Sequence, residues 1–186
     1  MYEPKTFAIP ELDGISQKTI DAHLGLYAGY VKHVNKIQSE LKNVNDEYAQ
    51  AEMQRRLGFE FGGMKNHEYY FSKFEGGAQP CPDGRFKEKV EHQFGSLDDF
   101  IARMQELAKT RGVGWVMCYI DRTNDCLVLA WIDEQHLGQL ADVDIVLALD
   151  MWEHSYMMDY PPAAKGDYVD AFFRNLNWEV IASRLD

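Results

Sequence analysis

The clearest candidate for chemistry in this sequence is the string D-M-W-E-H, which runs from Asp150 to His154. Carboxylate oxygen and imidazole nitrogen both bind divalent iron, manganese and zinc, and a spacing of four residues can place the two groups on one side of the chain. Pairs at this spacing also arise by chance, so the alternative interpretation is a surface ion pair. The string indicates a metal site only if other ligands join it.

Two further histidines lie in apolar and aromatic sequence surroundings. His67 follows two glycines in G-G-M-K-N-H-E-Y-Y-F, residues 62–71, and His23 lies on the apolar face of a predicted helix. A single histidine on such a face is usually an ordinary core residue. Three histidines and one aspartate in such surroundings are explained more simply by one metal centre than by four independent residues. His23, His67, Asp150 and His154 are therefore the candidate ligands.

Hydrophobic periodicity predicts the elements that must position these residues. Apolar side chains at spacings of three and four predict a long helix that begins after Ser16, its N-cap, and ends near residue 41. A second helical pattern covers about residues 47–74, with predicted interruptions near Gly58 and at Gly62-Gly63. These two helices carry His23 and His67.

A segment rich in glycine and proline, residues 76–84, predicts a linker to a mixed second part. Helical patterns are predicted at 86–94, at 97–109 after Ser96, around 156 and from 168 to about 184. Strands are predicted at 115–120, 126–132 and 145–149. The order predicts an α+β protein, with an N-terminal helical hairpin domain at 1–80 and a C-terminal α/β domain at 81–186.

Composition limits the classes of partner. The chain has 186 residues, 46% of them hydrophobic, which suffices for one core, and 19 basic against 30 acidic residues give a formal net charge of −11. We therefore expect neither nucleic acid nor a membrane surface as a partner. Three cysteines without a C-x-x-C pair, and no visible signal peptide, predict a reducing, cytoplasmic location.

Several strings resemble, in the same order, motifs of the iron/manganese superoxide dismutases. Residues 150–156, D-M-W-E-H-S-Y, resemble D-V-W-E-H-A-Y, and residues 62–67 resemble G-G-x-x-N-H. Similar strings also occur at 94–96 (F-G-S), 112–115 (G-V-G-W), 165–168 (K-G-D-Y), 171–173 (A-F-F) and 175–178 (N-L-N-W). The resemblance covers nearly the whole chain. It implies a three-stranded antiparallel sheet flanked by helices, and a metal site between the two domains.

The resemblance implies one iron or manganese ion per chain, and disproportionation of superoxide to oxygen and hydrogen peroxide. His67, Asp150 and His154 match ligand positions of the family. The family's first-helix ligand precedes a gateway tyrosine by eight residues, whereas His23 precedes Tyr30 by seven. Seven residues return a side chain to within about 20° of one helix face, whereas eight would need a π-bulge. We interpret His23 as the fourth protein ligand, on a helix that lacks this bulge.

The resemblance also implies roles around the metal. Tyr30 is expected at the entrance to the site. Gln135 or His136 is expected to donate a hydrogen bond to metal-bound solvent, and we prefer His136 because some family members have histidine there; an ordinary loop residue is the alternative. Trp115 and Trp152 are expected in the apolar wall of the site, although both could equally be plain core residues.

Four positions concern the partner subunit and the substrate. Glu153 matches the glutamate that, in the family, reaches a ligand histidine of the other subunit. Leu26 and Met157 replace the family's polar contact pair, which predicts a more apolar homodimer interface, with a tetramer also possible. Lys165 matches an arginine near the site. We expect it to attract superoxide despite the net charge of −11.

The sequence leaves other functions open. A dismutase-like scaffold that holds metal poorly and serves in binding is suggested by the shortened first-helix motif and by the loss of the family's polar contact pair between subunits. A hydrolytic zinc site is less favoured, because Glu153 is the only base that the motif offers. The choice between iron and manganese is open too, since both ions accept histidine and carboxylate.

Overall fold

A computed structural model describes residues 1–185; Asp186, with which the predicted second domain ends, lies outside the described residues. Two long helices, α1 (Gln17–Glu40) and α2 (Glu47–Ser72), pack against each other. The Ser16 hydroxyl accepts a hydrogen bond from the Thr19 amide and begins α1, as predicted. Residues 17–40 are α-helical throughout, so seven residues separate His23 from Tyr30 on a regular helix.

α2 continues without a break through Gly58, Gly62 and Gly63, so the predicted interruptions are wrong. Glycine costs a helix only about 1 kcal/mol relative to alanine, which packing along a long helix can outweigh. Each of these glycines faces a close neighbour. A Cβ on Gly62 would overlap the Gln135 carbonyl, and one on Gly63 would approach the Tyr30 ring to 2.5 Å. The glycines mark close packing within a continuous helix.

The second part begins with two helices, which precede a three-stranded antiparallel sheet in the order β2-β1-β3. The helices are α3 (Arg85–Phe94) and α4 (Leu97–Ala108), and Ser96 caps α4 as predicted. The strands are β1 (Gly114–Asp121), β2 (Cys126–Asp133) and β3 (Asp144–Asp150), each at most one residue longer at either end than predicted. The predicted α+β class and antiparallel sheet are confirmed.

The end of the chain differs from the predicted single helix at 168–184. It forms α5 (Lys165–Arg174) and α6 (Trp178–Ala182), separated by a turn. The side chain of Asn177 accepts hydrogen bonds from two amides of α6 and so starts a new helix. Near residue 156 the predicted helix is reduced to a 3-10 turn, Glu153–Ser155.

One hydrophobic core joins the long helices to the sheet, with Tyr27, Phe71 and Met117 among its buried members. The division into domains at residue 80 stays a prediction. Within residues 1–185, no helix combines the length and the apolar character that crossing a membrane requires.

Candidate metal centre

The four candidate ligands converge although they are far apart in the chain. His23 comes from α1, His67 from α2, Asp150 ends β3, and His154 lies in the 3-10 turn that follows. Their ligand atoms all lie within 4.8 Å of one another. The Asp150 Oδ2 atom lies 3.1 Å from His23 Nε2, 3.1 Å from His154 Nε2 and 3.5 Å from His67 Nε2. One carboxylate oxygen is thus surrounded by three imidazoles.

The position of Asp150 is fixed by contacts outside this group. Its Oδ1 atom accepts a hydrogen bond from the Trp152 amide at 2.8 Å. Its backbone carbonyl accepts hydrogen bonds from the hydroxyls of Tyr168, at 2.8 Å, and Ser155, at 3.1 Å. These bonds hold the end of β3 and direct Oδ2 toward the histidines.

His67 is oriented as a ligand by its own helix. Its Nδ1 atom lies 2.6 Å from the carbonyl oxygen of Gly63, which can only accept, so Nδ1 carries the proton. The Nε2 atom is buried and has no hydrogen-bond partner in the part of the chain that the structure describes. Buried polar atoms without partners are rare. A lone pair that faces a carboxylate and two other imidazoles is what a metal ion would satisfy.

The distances fit one ion. Ligands about 2.1 Å from a metal ion and at right angles to each other lie about 3.0 Å apart. The separations of 3.1–3.5 Å between Asp150 Oδ2 and the three Nε2 atoms are close to this value. Imidazole and carboxylate together suit iron, manganese or zinc.

Burial sets the protonation that metal binding requires. It lowers the pKa of His67 to about 3 and also lowers the pKa of His23, although the hydrogen bond with Asp150 opposes the second shift. For Asp150, burial alone would raise the pKa, but the charge and hydrogen bonds of His154 and His23 lower it overall. Neutral imidazoles and an ionised carboxylate are the forms that bind metal.

We expect the metal-free protein to lose stability as pH falls from about 6.5 toward 3. The pKa of His67 is lowered from 6.5 in the unfolded chain to about 3 in the folded chain. The unfolded state therefore binds more protons in this window, and the free energy of unfolding decreases as pH falls through it. Urea unfolding at several pH values measures the slope. If a His67→Gln variant showed the same dependence of unfolding free energy on pH as wild type, His67 would not be the source of that dependence.

A chain of three hydrogen-bonding side chains lies beside the cluster. The Trp115 indole N–H donates to Gln135 Oε1 at 3.0 Å, and Gln135 Nε2 donates to the Tyr30 hydroxyl oxygen at 3.0 Å. The indole can only donate, which fixes the amide orientation, so the Tyr30 oxygen accepts and its own proton is free. The Tyr30 and His67 ring centres are 5.1 Å apart. Burial, and then the Asp150 charge, raise the pKa of Tyr30, which stays protonated.

The structure places Gln135, and not the preferred His136, beside Tyr30. Gln135 is fully buried, whereas the His136 ring packs against Gly58 and lies 5.9 Å from the Phe59 ring. Two other residues hold this loop. The Asn66 amide donates to the Gln135 carbonyl, and Gln139 donates to Asn66 Oδ1. Asn66 belongs to the segment 62–67 that resembles G-G-x-x-N-H, whereas no motif in the sequence included Gln139.

The remaining predicted residues lie at different distances from the cluster. The Trp115 ring centre is 5.1 Å from that of His67, and the Trp152 ring stacks on His154 at 5.8 Å. Glu153 is exposed. Lys165 donates to the Thr110 carbonyl and lies 5.7 Å from the Trp131 ring. Within residues 1–185, the structure shows no contact of Lys165 with the four ligands.

Comparison with known proteins gives one consistent result. The C-terminal domain of the iron/manganese superoxide dismutases matches residues 82–184. The chain is 34% identical over 200 residues to the iron superoxide dismutase of Cupriavidus metallidurans, covering 99% of this chain and 96% of that protein. The iron enzyme of Aquifex pyrophilus is 31% identical, with coverage of 99% and 91%. The manganese superoxide dismutase of Mycolicibacterium fortuitum is 30% identical, with coverage of 87% and 80%.

Proposed function

Since this chain belongs to the iron/manganese superoxide dismutase family, we propose that it disproportionates superoxide at one iron or manganese ion per chain. The observation that carries the proposal is the convergence of three imidazoles on one carboxylate, with all four ligand atoms within 4.8 Å of one another. Two superoxide anions and two protons yield one oxygen molecule and one hydrogen peroxide molecule. A bound iron or manganese ion would supply the one-electron redox chemistry that this disproportionation needs.

The side chains of this protein supply position and protons. His23, His67, Asp150 and His154 would hold the ion; the first three are buried, whereas the His154 side chain is 25% exposed. The Trp115 and Gln135 hydrogen bonds orient the Tyr30 hydroxyl so that its oxygen accepts from Gln135 and its own proton is free to be donated. We propose that Tyr30 passes a proton toward the reduced oxygen species, and that Gln135 rather than His136 is the polar residue that tunes the centre.

Replacing Gln135 by leucine should lower turnover by about 10–100-fold, the range that loss of a hydrogen-bonding residue around a metal site typically costs. The change removes the hydrogen bond that orients the Tyr30 hydroxyl and leaves the Trp115 N–H buried without an acceptor. His136→Leu is the matched control, and we expect its turnover to stay within about twofold of wild type. Stopped-flow decay of superoxide measures both variants. Equal losses in the two variants would contradict the assignment to Gln135.

The competing scaffold function has lost its main support. It was suggested by the shortened first-helix motif, but His23 lies 3.1 Å from Asp150 Oδ2, inside the cluster. Protein that holds a full complement of iron or manganese and yet leaves superoxide unconsumed would restore that alternative.

The position of the ion is tested by diffraction. Crystals of protein loaded separately with iron and manganese, measured at each absorption edge, should show one anomalous peak bounded by the four ligand atoms. Refined occupancies for the two ions would show which one the site prefers. A peak elsewhere, or one that His23 does not contact, would contradict the assigned ligand set.

We also propose that the chain forms a homodimer through the surface around α1 and the 3-10 turn. Leu26 and Met157 are 38% and 47% exposed there, and Glu153 is exposed as well. Burying such apolar side chains against a second copy would remove them from water. Sedimentation equilibrium distinguishes monomer, dimer and tetramer. A cytoplasmic location stays a prediction.

A further inference from the structure

A lysine that has no role in the proposed reaction is completely buried. Lys73, at the C-terminal end of α2, is 0% exposed, and its Nζ atom donates to the carbonyl oxygen of Ala148 at 2.6 Å. Lysine is almost never fully buried without a partner for its charge. Here the partner is a neutral backbone carbonyl two residues before Asp150.

Part of the reason for this contact is the free edge of β3. Within residues 1–185 the strand pairs with β1 on one side only, so alternate carbonyls on its other side need donors. The carbonyl of Val146 accepts a hydrogen bond from Arg184, and that of Ala148 accepts one from Lys73. The carbonyl of Asp150 accepts one from the Tyr168 hydroxyl. Because the Tyr168 hydroxyl meets this need without a charge, the need for a donor alone does not explain a lysine.

Aromatic rings surround the amine in a way that suits a cation. Nζ lies 3.8 Å from the centre of the Tyr70 ring, 4.1 Å from that of Phe172 and 5.0 Å from that of Phe74. Burial, and after it the Arg184 charge, lower the pKa of Lys73 well below its ordinary value, and the Asp150 charge opposes this shift. The ring faces and the carbonyl also favour the ammonium, since each attracts the charged form more strongly.

The amine is close enough to the cluster for its charge to act there. The Tyr70 ring centre lies 3.8 Å from Lys73 Nζ and 4.9 Å from the His23 ring centre, so less than about 9 Å separates the amine from that imidazole. The space between them is filled by the Tyr70 ring, which is fully buried. The charge is therefore poorly screened by water and salt.

We propose that Lys73 is held as an ammonium and is a positioning residue that raises the reduction potential of the ion bound by His23, His67, Asp150 and His154. A buried positive charge disfavours the trivalent ion more than the divalent ion, because the trivalent ion carries the larger charge. The same side chain ties the end of α2 to β3, the elements that carry His67 and Asp150. This inference rests on the proposed function, since it requires a bound redox ion.

The test is a redox titration of the metal-loaded protein, followed by the visible absorption of the oxidised ion. Lys73→Met keeps the apolar length of the side chain and removes the charge. At a fixed applied potential, we expect the ratio of reduced to oxidised ion to fall about tenfold, which corresponds to about 59 mV for one electron. Arg184→Met is the matched control, because it removes a cationic donor from the same strand edge at Val146, four residues from Asp150. Its ratio should change by less than about threefold.

Equal potentials in wild type and Lys73→Met, with the ion bound in both, would overturn the proposed role of Lys73 and leave the proposed function unaffected. Equal shifts in both variants would overturn it too, since a general loosening of β3 would then explain them. Wild-type protein that binds neither ion would overturn the proposed function instead. If Lys73→Met does not fold, NMR of ¹³Cε-labelled lysine in the wild-type protein decides: a charged Lys73 at pH 7 supports the proposal, and a neutral one overturns it.

Discussion

Replacement of His23 by alanine should remove most of the bound metal and, with it, superoxide turnover. His23 Nε2 lies 3.1 Å from Asp150 Oδ2, and both side chains are fully buried. Loss of a residue that hydrogen-bonds a metal ligand costs about 10–100-fold in metal affinity or activity. Loss of a ligand itself should therefore cost more than about 100-fold. Metal analysis after dialysis, together with the rate of superoxide decay, measures both effects.

The matched control for this variant is His92→Ala. His92 is exposed on α3 and takes no part in the cluster. We expect it to keep metal content and turnover near those of wild type. If His23→Ala also kept both, the first-helix ligand would be wrong, and the remaining three residues would have to hold the ion alone.

Replacement of Gly62 by alanine should damage the site from outside the ligand set. A Cβ at this position would overlap the backbone carbonyl of Gln135, which cannot move without displacing the loop. Overpacking of this kind costs about 1–3 kcal/mol of folding free energy, more than the roughly 1 kcal/mol that alanine adds to a helix. A displaced Gln135 also loses its bond to Tyr30, and misplacement by about 1 Å can cost up to about 100-fold in rate.

Gly166→Ala provides the comparison for Gly62→Ala. Gly166 lies in α5, and a Cβ there meets no atom of residues 1–185 within 4 Å. We expect this variant to be as stable as wild type or more stable, by up to about 1 kcal/mol, with unchanged turnover. Urea unfolding and superoxide decay compare the pair. A Gly62→Ala protein that matched Gly166→Ala in both would show that the loop does not depend on this close approach.

The sequence predicted the elements well where a local signal existed. Ser16 and Ser96 are N-caps whose hydroxyls accept from the amide three residues on, and both helices begin there. The three strands follow from runs of apolar residues bounded by turns. The interruptions predicted at the glycines of α2 were wrong, because the sequence does not distinguish a glycine that permits a close tertiary contact from one that ends a helix.

The site was predicted less evenly, for a geometric reason. His23, His67, Asp150 and His154 could be grouped because residue type restricts which side chains bind metal. Gln135 and His136 are neighbours in a tight loop, and only the course of the backbone decides which one points inward. The burial of Lys73 could not be predicted, since nothing in residues 72–74, S-K-F, indicates that this side chain packs against the edge of a strand.

The central claim is tested most directly by measuring superoxide decay while iron or manganese is titrated into metal-free protein. We predict that the catalysed rate rises in proportion to the bound ion and stops rising at one ion per chain, for at least one of the two metals. Protein that takes up one ion per chain, and nevertheless leaves the decay of superoxide at its uncatalysed rate with both metals, would contradict the account.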